Sequence, residues 1–101
     1  MDSIRVSELV RLINPNIIDI RNYYYYSLGH IYGAISVPYY NLLNNYSHYL
    51  NKYSTYYLYC ESGEQSLEIV KRLNRFGYDT VSIIGGYQEY LRFIDGSRQG
   101  Y

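Results

Sequence analysis

Short runs of β-branched and aromatic residues alternate with stretches of helical periodicity along this chain, and this alternation most constrains its fold. Four of the runs are too short for helices and are rich in residues that favour strands. They are Ile17–Ile20, Ala34–Val37, Tyr56–Tyr59 and Thr80–Ile84. Such alternation is typical of strands connected by crossover helices, so we predict an α/β fold.

The helices are predicted from apolar spacing and from residues that begin or end a helix. The best one begins at Glu64 or Gln65 and ends at Phe76, before Gly77, which is placed to end it in a left-handed conformation. The other predicted helices are one that Ser7 caps and that continues through about Ile13, one or two short ones within 39–51, and a last one at about Tyr87–Phe93. The segment Asn22–Gly29 is predicted to be a loop.

Length and charge limit the organisation and the partners of the protein. The 101 residues suit a single domain, residues 1–101, and a hydrophobic content of 48% supports a packed core. Lys and Arg together number 9, as do Asp and Glu, and no basic stripe is present, so we expect no binding to nucleic acid or to an anionic membrane. No apolar stretch approaches the roughly 20 residues needed to cross a bilayer.

The single cysteine and the first residues of the chain bear on its compartment. The chain starts without the long apolar run of a signal peptide, so a cytoplasmic location is expected. One cysteine forms no internal disulfide, which fits a reducing compartment. It also excludes cysteine-rich zinc sites, and we predict no metal.

That cysteine, Cys60, directly follows a predicted strand and precedes the best predicted helix. Ligands of open α/β sheets bind beyond the carboxyl ends of strands, against the positive ends of helices. A loop containing Gly63 can turn successive N–H groups toward one point, and a thiolate there is stabilised and nucleophilic. The alternative is that Cys60 is a small buried hydrophobic residue.

Four ordered segments resemble those of the single-domain rhodaneses, a family of sulfurtransferases. The first is Ile18–Arg21, similar to a strand that ends in Asp-x-Arg, and the second is Gly29–Ile35, in which Tyr32 replaces the usual proline. The third is the cysteine loop Tyr59–Ser66, and the fourth is Gly85–Tyr87 followed by Tyr90. The resemblance covers nearly the whole chain. It implies a rhodanese-like fold, with a central parallel five-stranded sheet flanked by helices on both faces.

The resemblance also implies a chemistry. Cys60 would accept sulfane sulfur from thiosulfate or a persulfide, carry it as a persulfide, and pass it to a thiol or cyanide acceptor. A cradle of backbone N–H groups would hold the outer sulfur. Its members would be Glu61, Ser62, Gly63, Glu64, Gln65 and Ser66. No cofactor is implied, and the donor is either a small molecule or a persulfide-donating or sulfur-carrier protein.

Residues near the site in the resembling fold have alternative roles. Asp19 and Arg21 either form a structural ion pair or steer an anionic donor, in which case Arg21 binds substrate. His30 either braces its loop or acts as an acid or base. Gly86 turns the chain near the site, and Tyr87 either lines the pocket mouth or packs in the core.

The cysteine loop is acidic where active members of the family are often basic. Glu61 follows the cysteine, Gln65 stands at the usual arginine position, and Glu64 adds a second carboxylate. Because carboxylates repel anionic substrates, we expect thiosulfate to be a poor donor compared with a persulfide. Cysteine phosphatases need an arginine six residues after the cysteine, where this chain has Ser66, so that function is disfavoured.

Two non-enzymatic functions remain open. The protein is alternatively a catalytically weak or inactive module that binds a partner protein, or a carrier that receives persulfide without releasing a small product. The 17 tyrosines bear on the first of these, because tyrosine is enriched at interfaces. Half-buried rings with solvent-exposed hydroxyls are the favoured explanation for them. An enzyme needs an accessible, reactive Cys60, whereas a binding module tolerates a buried one.

Overall fold

A computed structural model describes residues 1–99, with side chains described as far as residue 96. Within this range five strands form one sheet in which all neighbouring pairs are parallel. The strands are β1 (Ser3–Ile4), β2 (Asn16–Asp19), β3 (Ile35–Ser36), β4 (Thr55–Tyr59) and β5 (Asp79–Ile83). Their order across the sheet is β1-β5-β4-β2-β3. The predicted five-stranded parallel sheet is confirmed.

Helices cover both faces of this sheet and bury one hydrophobic cluster on each. They are α1 (Val6–Leu9), α2 (Tyr23–Leu28), α3 (Tyr39–Asn44), α4 (Tyr46–Tyr49), α5 (Glu64–Arg75) and α6 (Gly86–Gln99). On one face Ile18 and Leu58 of the strands share a cluster with Leu42 of α3 and Leu73 of α5. On the other, strand residues such as Val81 share a cluster with residues of α1, α2 and α6.

The alternation of side chains along β4 decides where the cysteine lies. Tyr56 and Leu58 belong to the α5 face, and Tyr59 belongs to the opposite cluster. Cys60 is next in register and therefore returns to the α5 face. It lies at the carboxyl end of a strand that pairs with β2 on one side and β5 on the other.

The predicted loop at Asn22–Gly29 is wrong, because Tyr23–Leu28 is helical. The Asn22 side chain caps this helix by accepting the Tyr24 N–H at 2.9 Å. Its tyrosines form no apolar stripe, and none of its residues is buried, so periodicity gave no helical signal.

The first helix and two strands also differ from their predictions. α1 begins at Val6 and ends at Leu9, so Ser7 is not its cap, and Ile13 is 91% exposed. The Glu8 carboxylate instead accepts the Arg5 N–H at the start of the helix. β3 is shorter than predicted, and β1 was missed because two residues carry too little pattern.

Predictions for the two longest helices are closer to the structure. α5 ends one residue before the predicted position, and Gly77 follows it with a φ of 93°, as expected. The last helix begins at Gly86 and continues beyond Phe93 to Gln99. Between residues 1 and 99, no helix combines the length and the apolar character that crossing a membrane requires.

Candidate active site

The sulfur of Cys60 is held by N–H groups at the start of α5. The N–H of Gly63 lies 3.1 Å from Sγ, and that of Ser66 lies 3.4 Å from it. Ser66 is the third residue of the helix, where N–H groups have no partner within the helix. Both donors point at sulfur from the positive end of the helix dipole, so the arrangement stabilises a thiolate or a persulfide anion.

Two glycines allow the loop to close around the sulfur. Gly63 caps α5 with a φ of 99°, and a Cβ there would lie 2.9 Å from the N atom of Gly85. Gly86 has a φ of 59°, and a Cβ there would lie 2.4 Å from the carbonyl oxygen of Cys60. The next two N–H groups of α6, those of Tyr87 and Gln88, donate to the carbonyls of Cys60 and Glu61. The start of α6 therefore fixes the cysteine loop from behind.

Cys60 is 4% exposed and lies at the bottom of two clefts. The Arg21 cleft has a volume of about 630 Å³, and its walls include Arg21, Gly29 and Tyr87. The Tyr39 cleft has a volume of about 480 Å³, and its walls include Tyr39, Tyr40 and Glu68. Glu61 and Gln65 line both clefts. Such burial admits a slender terminal sulfur more readily than a bulky group.

Arg21 reaches the site from the end of β2 with each of its nitrogens engaged. Nε and Nη2 donate to the Asp19 carboxylate, and Nη2 also donates to the carbonyl of Gly29 at 2.7 Å. Nη1 donates to Glu61 at 3.2 Å. The guanidinium lies over the Tyr87 ring, 4.1 Å from its centroid. Burial alone lowers the pKa of Arg21, but the bonds and charge of Asp19, together with Glu61, outweigh this effect and raise it.

Asp19 is completely buried and also accepts a hydrogen bond from the Tyr59 hydroxyl at 2.7 Å. That hydroxyl accepts the N–H of Ile31, so the pair connects β2 and β4 to the loop before β3. Burial raises the pKa of Tyr59, and the hydrogen bond to Asp19 raises it further, although the Ile31 N–H opposes them. The phenol therefore stays neutral and continues to donate to Asp19.

Carboxylates dominate the charge around the sulfur. Among the described residues that line the two clefts, Arg21 is the one cation, and its charge is shared between Asp19 and Glu61. Glu61, Glu64 and Glu68 line the Tyr39 cleft. The hydrogen bond from the Tyr39 hydroxyl to Glu68, 2.6 Å long, raises the pKa of Tyr39. The clefts are therefore unfavourable for a dianion and tolerate neutral or cationic groups.

Most of the predicted site residues come together, with one clear exception. Glu61, Ser62, Glu64 and Gln65 line clefts beside Cys60, and Gly63 and Ser66 supply the N–H groups that reach Sγ. Gly86 lies against the carbonyl of Cys60 at the start of α6. His30 lines neither cleft; its Nδ1 lies 2.9 Å from the Tyr26 carbonyl, and its ring stacks on that tyrosine.

Other residues of the site carry only partial signals in the sequence. Tyr25 and Leu28 of α2 line the Arg21 cleft, but their segment was predicted to be a loop. Tyr39 and Tyr40 were conspicuous as a pair, without any sign that they approach the cysteine. No local pattern marks Leu91, which lines the Arg21 cleft from α6.

Comparison with known proteins identifies the family. The rhodanese-like domain family matches residues 5–93. This chain belongs to the rhodanese-like domain family. The rhodanese-like domain protein of Staphylococcus aureus superposes with a TM-score of 0.80 and 28% identity, over 89% of this chain and 91% of that one. A Staphylococcus saprophyticus protein superposes with a TM-score of 0.81 and 34% identity, over 89% of this chain and 93% of that one. The predicted resemblance to rhodaneses is confirmed.

A curated relative belongs to a much longer protein. Over 99 residues the chain is 30% identical to the adenylyltransferase and sulfurtransferase uba4 of Ogataea parapolymorpha. The match covers 93% of this chain and 24% of that protein, so the chain spans about a quarter of the relative.

Within the described residues, no group of three or more His, Cys, Asp or Glu side chains is arranged to hold a metal ion.

Replacement of Gly86 by alanine tests the contact between α6 and the cysteine loop. We expect Gly86→Ala to lower the free energy of unfolding by about 2–4 kcal/mol, because it combines left-handed strain with a backbone clash. Gly33→Ala is the matched control, since Gly33 has a φ of 86° and no atom of the described residues lies within 4 Å of an added Cβ. It should cost about 1–2 kcal/mol. Equal losses in urea unfolding would contradict the clash.

Replacement of Arg21 by methionine tests the buried ion pair. Arg21→Met leaves the buried Asp19 carboxylate without its cation, so the free energy of unfolding should fall by about 3–5 kcal/mol. Arg92→Met is the control, because Arg92 forms an exposed pair with Glu89 and should change stability by less than about 1 kcal/mol. Chemical denaturation of both variants measures the difference, and similar small losses would show that the pair is not needed for stability.

Proposed function

We propose that this protein is a sulfurtransferase that carries sulfane sulfur as a persulfide on Cys60 and accepts it from a persulfide donor in preference to thiosulfate. The observation that carries the proposal is the position of Sγ, which receives the N–H groups of Gly63 and Ser66 at the bottom of two clefts. Membership of the rhodanese-like family and the name of the uba4 relative support this class of reaction.

The first half-reaction loads the cysteine. The Cys60 thiolate attacks the outer sulfur of the donor persulfide, forming a new S–S bond to Sγ while the donor's own S–S bond breaks. The donor leaves as a thiolate that takes up a proton from solvent. In a loaded protein the outer sulfur would meet the remaining N–H groups of the first turn of α5, which have no partners within the helix.

The second half-reaction unloads it. A thiolate or cyanide acceptor attacks the outer sulfur, the S–S bond to Sγ breaks, and the electron pair returns to Cys60 as a thiolate. The two N–H donors stabilise this leaving group as they stabilised the nucleophile. No electrons are gained or lost overall, so the cycle needs neither a metal nor an organic cofactor.

The charges of the clefts support the choice of donor. Thiosulfate brings two negative charges toward Glu61 and Glu64, and Arg21 is already paired with Asp19 and Glu61. A neutral or cationic persulfide avoids most of this repulsion. A small persulfide and a persulfide on a partner protein share this chemistry.

A second candidate function is a binding module with little activity. It is favoured by the low exposure of Cys60 and by the exposed rings of Tyr23, Tyr24 and Tyr25 on α2, the last of which reaches the Arg21 cleft. Such a module would recognise a partner protein through the mouth of the cleft without taking up sulfur.

Sulfur uptake distinguishes the two functions. The intact protein is incubated with thiosulfate or with a small cysteine persulfide and is weighed by mass spectrometry. Because Cys60 is the only cysteine, a gain of one sulfur atom locates the persulfide, and Cys60→Ser should show none. A gain with the persulfide donor that exceeds the gain with thiosulfate is expected. No gain with either donor would refute sulfur transfer and leave the binding module.

Neutralising Glu61 tests the donor preference. Glu61→Gln removes one carboxylate beside the sulfur and weakens the hold on Arg21 Nη1, so loading by thiosulfate should become about threefold to tenfold faster. Loading by the persulfide should change by less than about twofold. Glu8→Gln makes the same charge change on α1, outside both clefts, and should leave both rates unaltered. Equal acceleration with both donors would contradict an electrostatic cause.

A further inference from the structure

A pair of buried serine hydroxyls lies behind the cysteine. Ser66 on α5 and Ser82 on β5 are almost completely buried, and their Oγ atoms are 2.7 Å apart. Ser66 Oγ also lies 3.6 Å from Cys60 Sγ, within hydrogen-bond reach for the larger sulfur atom, and 3.2 Å from the carbonyl oxygen of Gly63. The pair thus connects β5 to the reactive sulfur.

The direction of these hydrogen bonds follows from counting protons. Each hydroxyl has one proton to donate and two lone pairs to accept. Among the described residues, the Ser82 hydroxyl has one hydrogen-bond partner, Ser66 Oγ. If Ser66 donated to Ser82, the buried Ser82 proton would have no acceptor, which is costly. Ser82 is therefore the donor, and the single proton of Ser66 is left for Gly63 or for sulfur.

We propose that Ser82 is a positioning residue that keeps the Ser66 proton available to the Cys60 thiolate, an inference that rests on the proposed role of this cysteine. In the thiol state, Ser66 donates to the Gly63 carbonyl and accepts the S–H of Cys60. When the thiol proton leaves to solvent, the Ser66 hydroxyl rotates and donates to the thiolate. The Gly63 carbonyl still has a hydrogen-bond donor after this rotation, because it accepts the Leu67 N–H at 3.2 Å.

This arrangement supports the thiolate in both half-reactions. Sγ carries negative charge before it attacks the donor and again when it leaves the outer sulfur. The bond from Ser82 polarises the Ser66 hydroxyl and so strengthens its donation to sulfur, as in other hydrogen-bond chains. Three groups then donate to Sγ: the N–H of Gly63, the N–H of Ser66 and the hydroxyl of Ser66.

The alternative role for the pair is structural, a link between α5 and β5. Its removal would then lower stability without altering the reactivity of Cys60. The two roles are separated by the pH dependence of alkylation of the single cysteine by iodoacetamide, measured on the intact protein. This reaction needs no sulfur donor, so its result does not depend on whether the protein takes up sulfur.

In the Ser82→Ala variant we expect alkylation at neutral pH to slow by about threefold to tenfold, as for loss of one supporting hydrogen bond. The midpoint of its pH profile should rise by about half to one pH unit. Ser82→Thr and Ser82→Val have the same shape and differ in the hydroxyl, so the threonine variant should react like wild type and the valine variant should not. Urea unfolding checks that each variant is folded under the assay conditions.

A double-mutant comparison gives the decisive result. If Ser82 acts through Ser66, then adding Ser82→Ala to a Ser66→Ala protein should shift the profile no further. An unchanged profile in folded Ser82→Ala, or a full further shift in the Ser66→Ala background, would overturn the proposal. If the protein takes up sulfur on Cys60 but Ser82→Ala leaves the pH profile unchanged, only the role of Ser82 is refuted. If it takes up no sulfur but Ser82→Ala shifts the profile, only the transfer function is refuted.

Discussion

The candidate site depends on the interactions of one buried carboxylate, that of Asp19, with Arg21 and Tyr59. A carboxylate without solvent is costly unless a cation and further donors compensate it. Here Arg21 supplies the cation and Tyr59 supplies a hydroxyl, and each of them then reaches another part of the chain. Arg21 extends to Gly29 and Glu61, so one buried charge holds the wall of the Arg21 cleft against the cysteine loop.

In the candidate site, backbone groups hold the sulfur and side chains set the charge of the cleft walls. The sulfur is held mainly by N–H groups of the loop and helix, which depend on the conformations of Gly63 and Gly86 more than on side-chain chemistry. The carboxylates of Glu61 and Glu64 contribute charge at the walls and leave that cradle intact. The acidic loop therefore bears on which donor approaches, whereas the geometry for holding a sulfur anion is independent of it.

Local patterns in the sequence were sufficient for much of the architecture. β4, α5 and β5 lie within one or two residues of their predictions, because a buried strand and a long amphipathic helix each leave a clear period. The failures have equally local reasons. Tyr23–Leu28 is an exposed helix without an apolar stripe, and Ser3–Ile4 is a strand of two residues at the sheet edge.

The sequence by itself determined the family resemblance, the strand–loop–helix around Cys60 and the acidic character of its loop, since all of these are properties of neighbouring residues. Only the tertiary structure decided that Arg21 meets Glu61, 40 residues away, and that Ser82 lies behind Ser66. The first contact arises because parallel strands β2 and β4 bring their carboxyl ends to one edge of the sheet. The second arises because α5 packs against β5. Spacing along the chain does not specify which side chains will touch there.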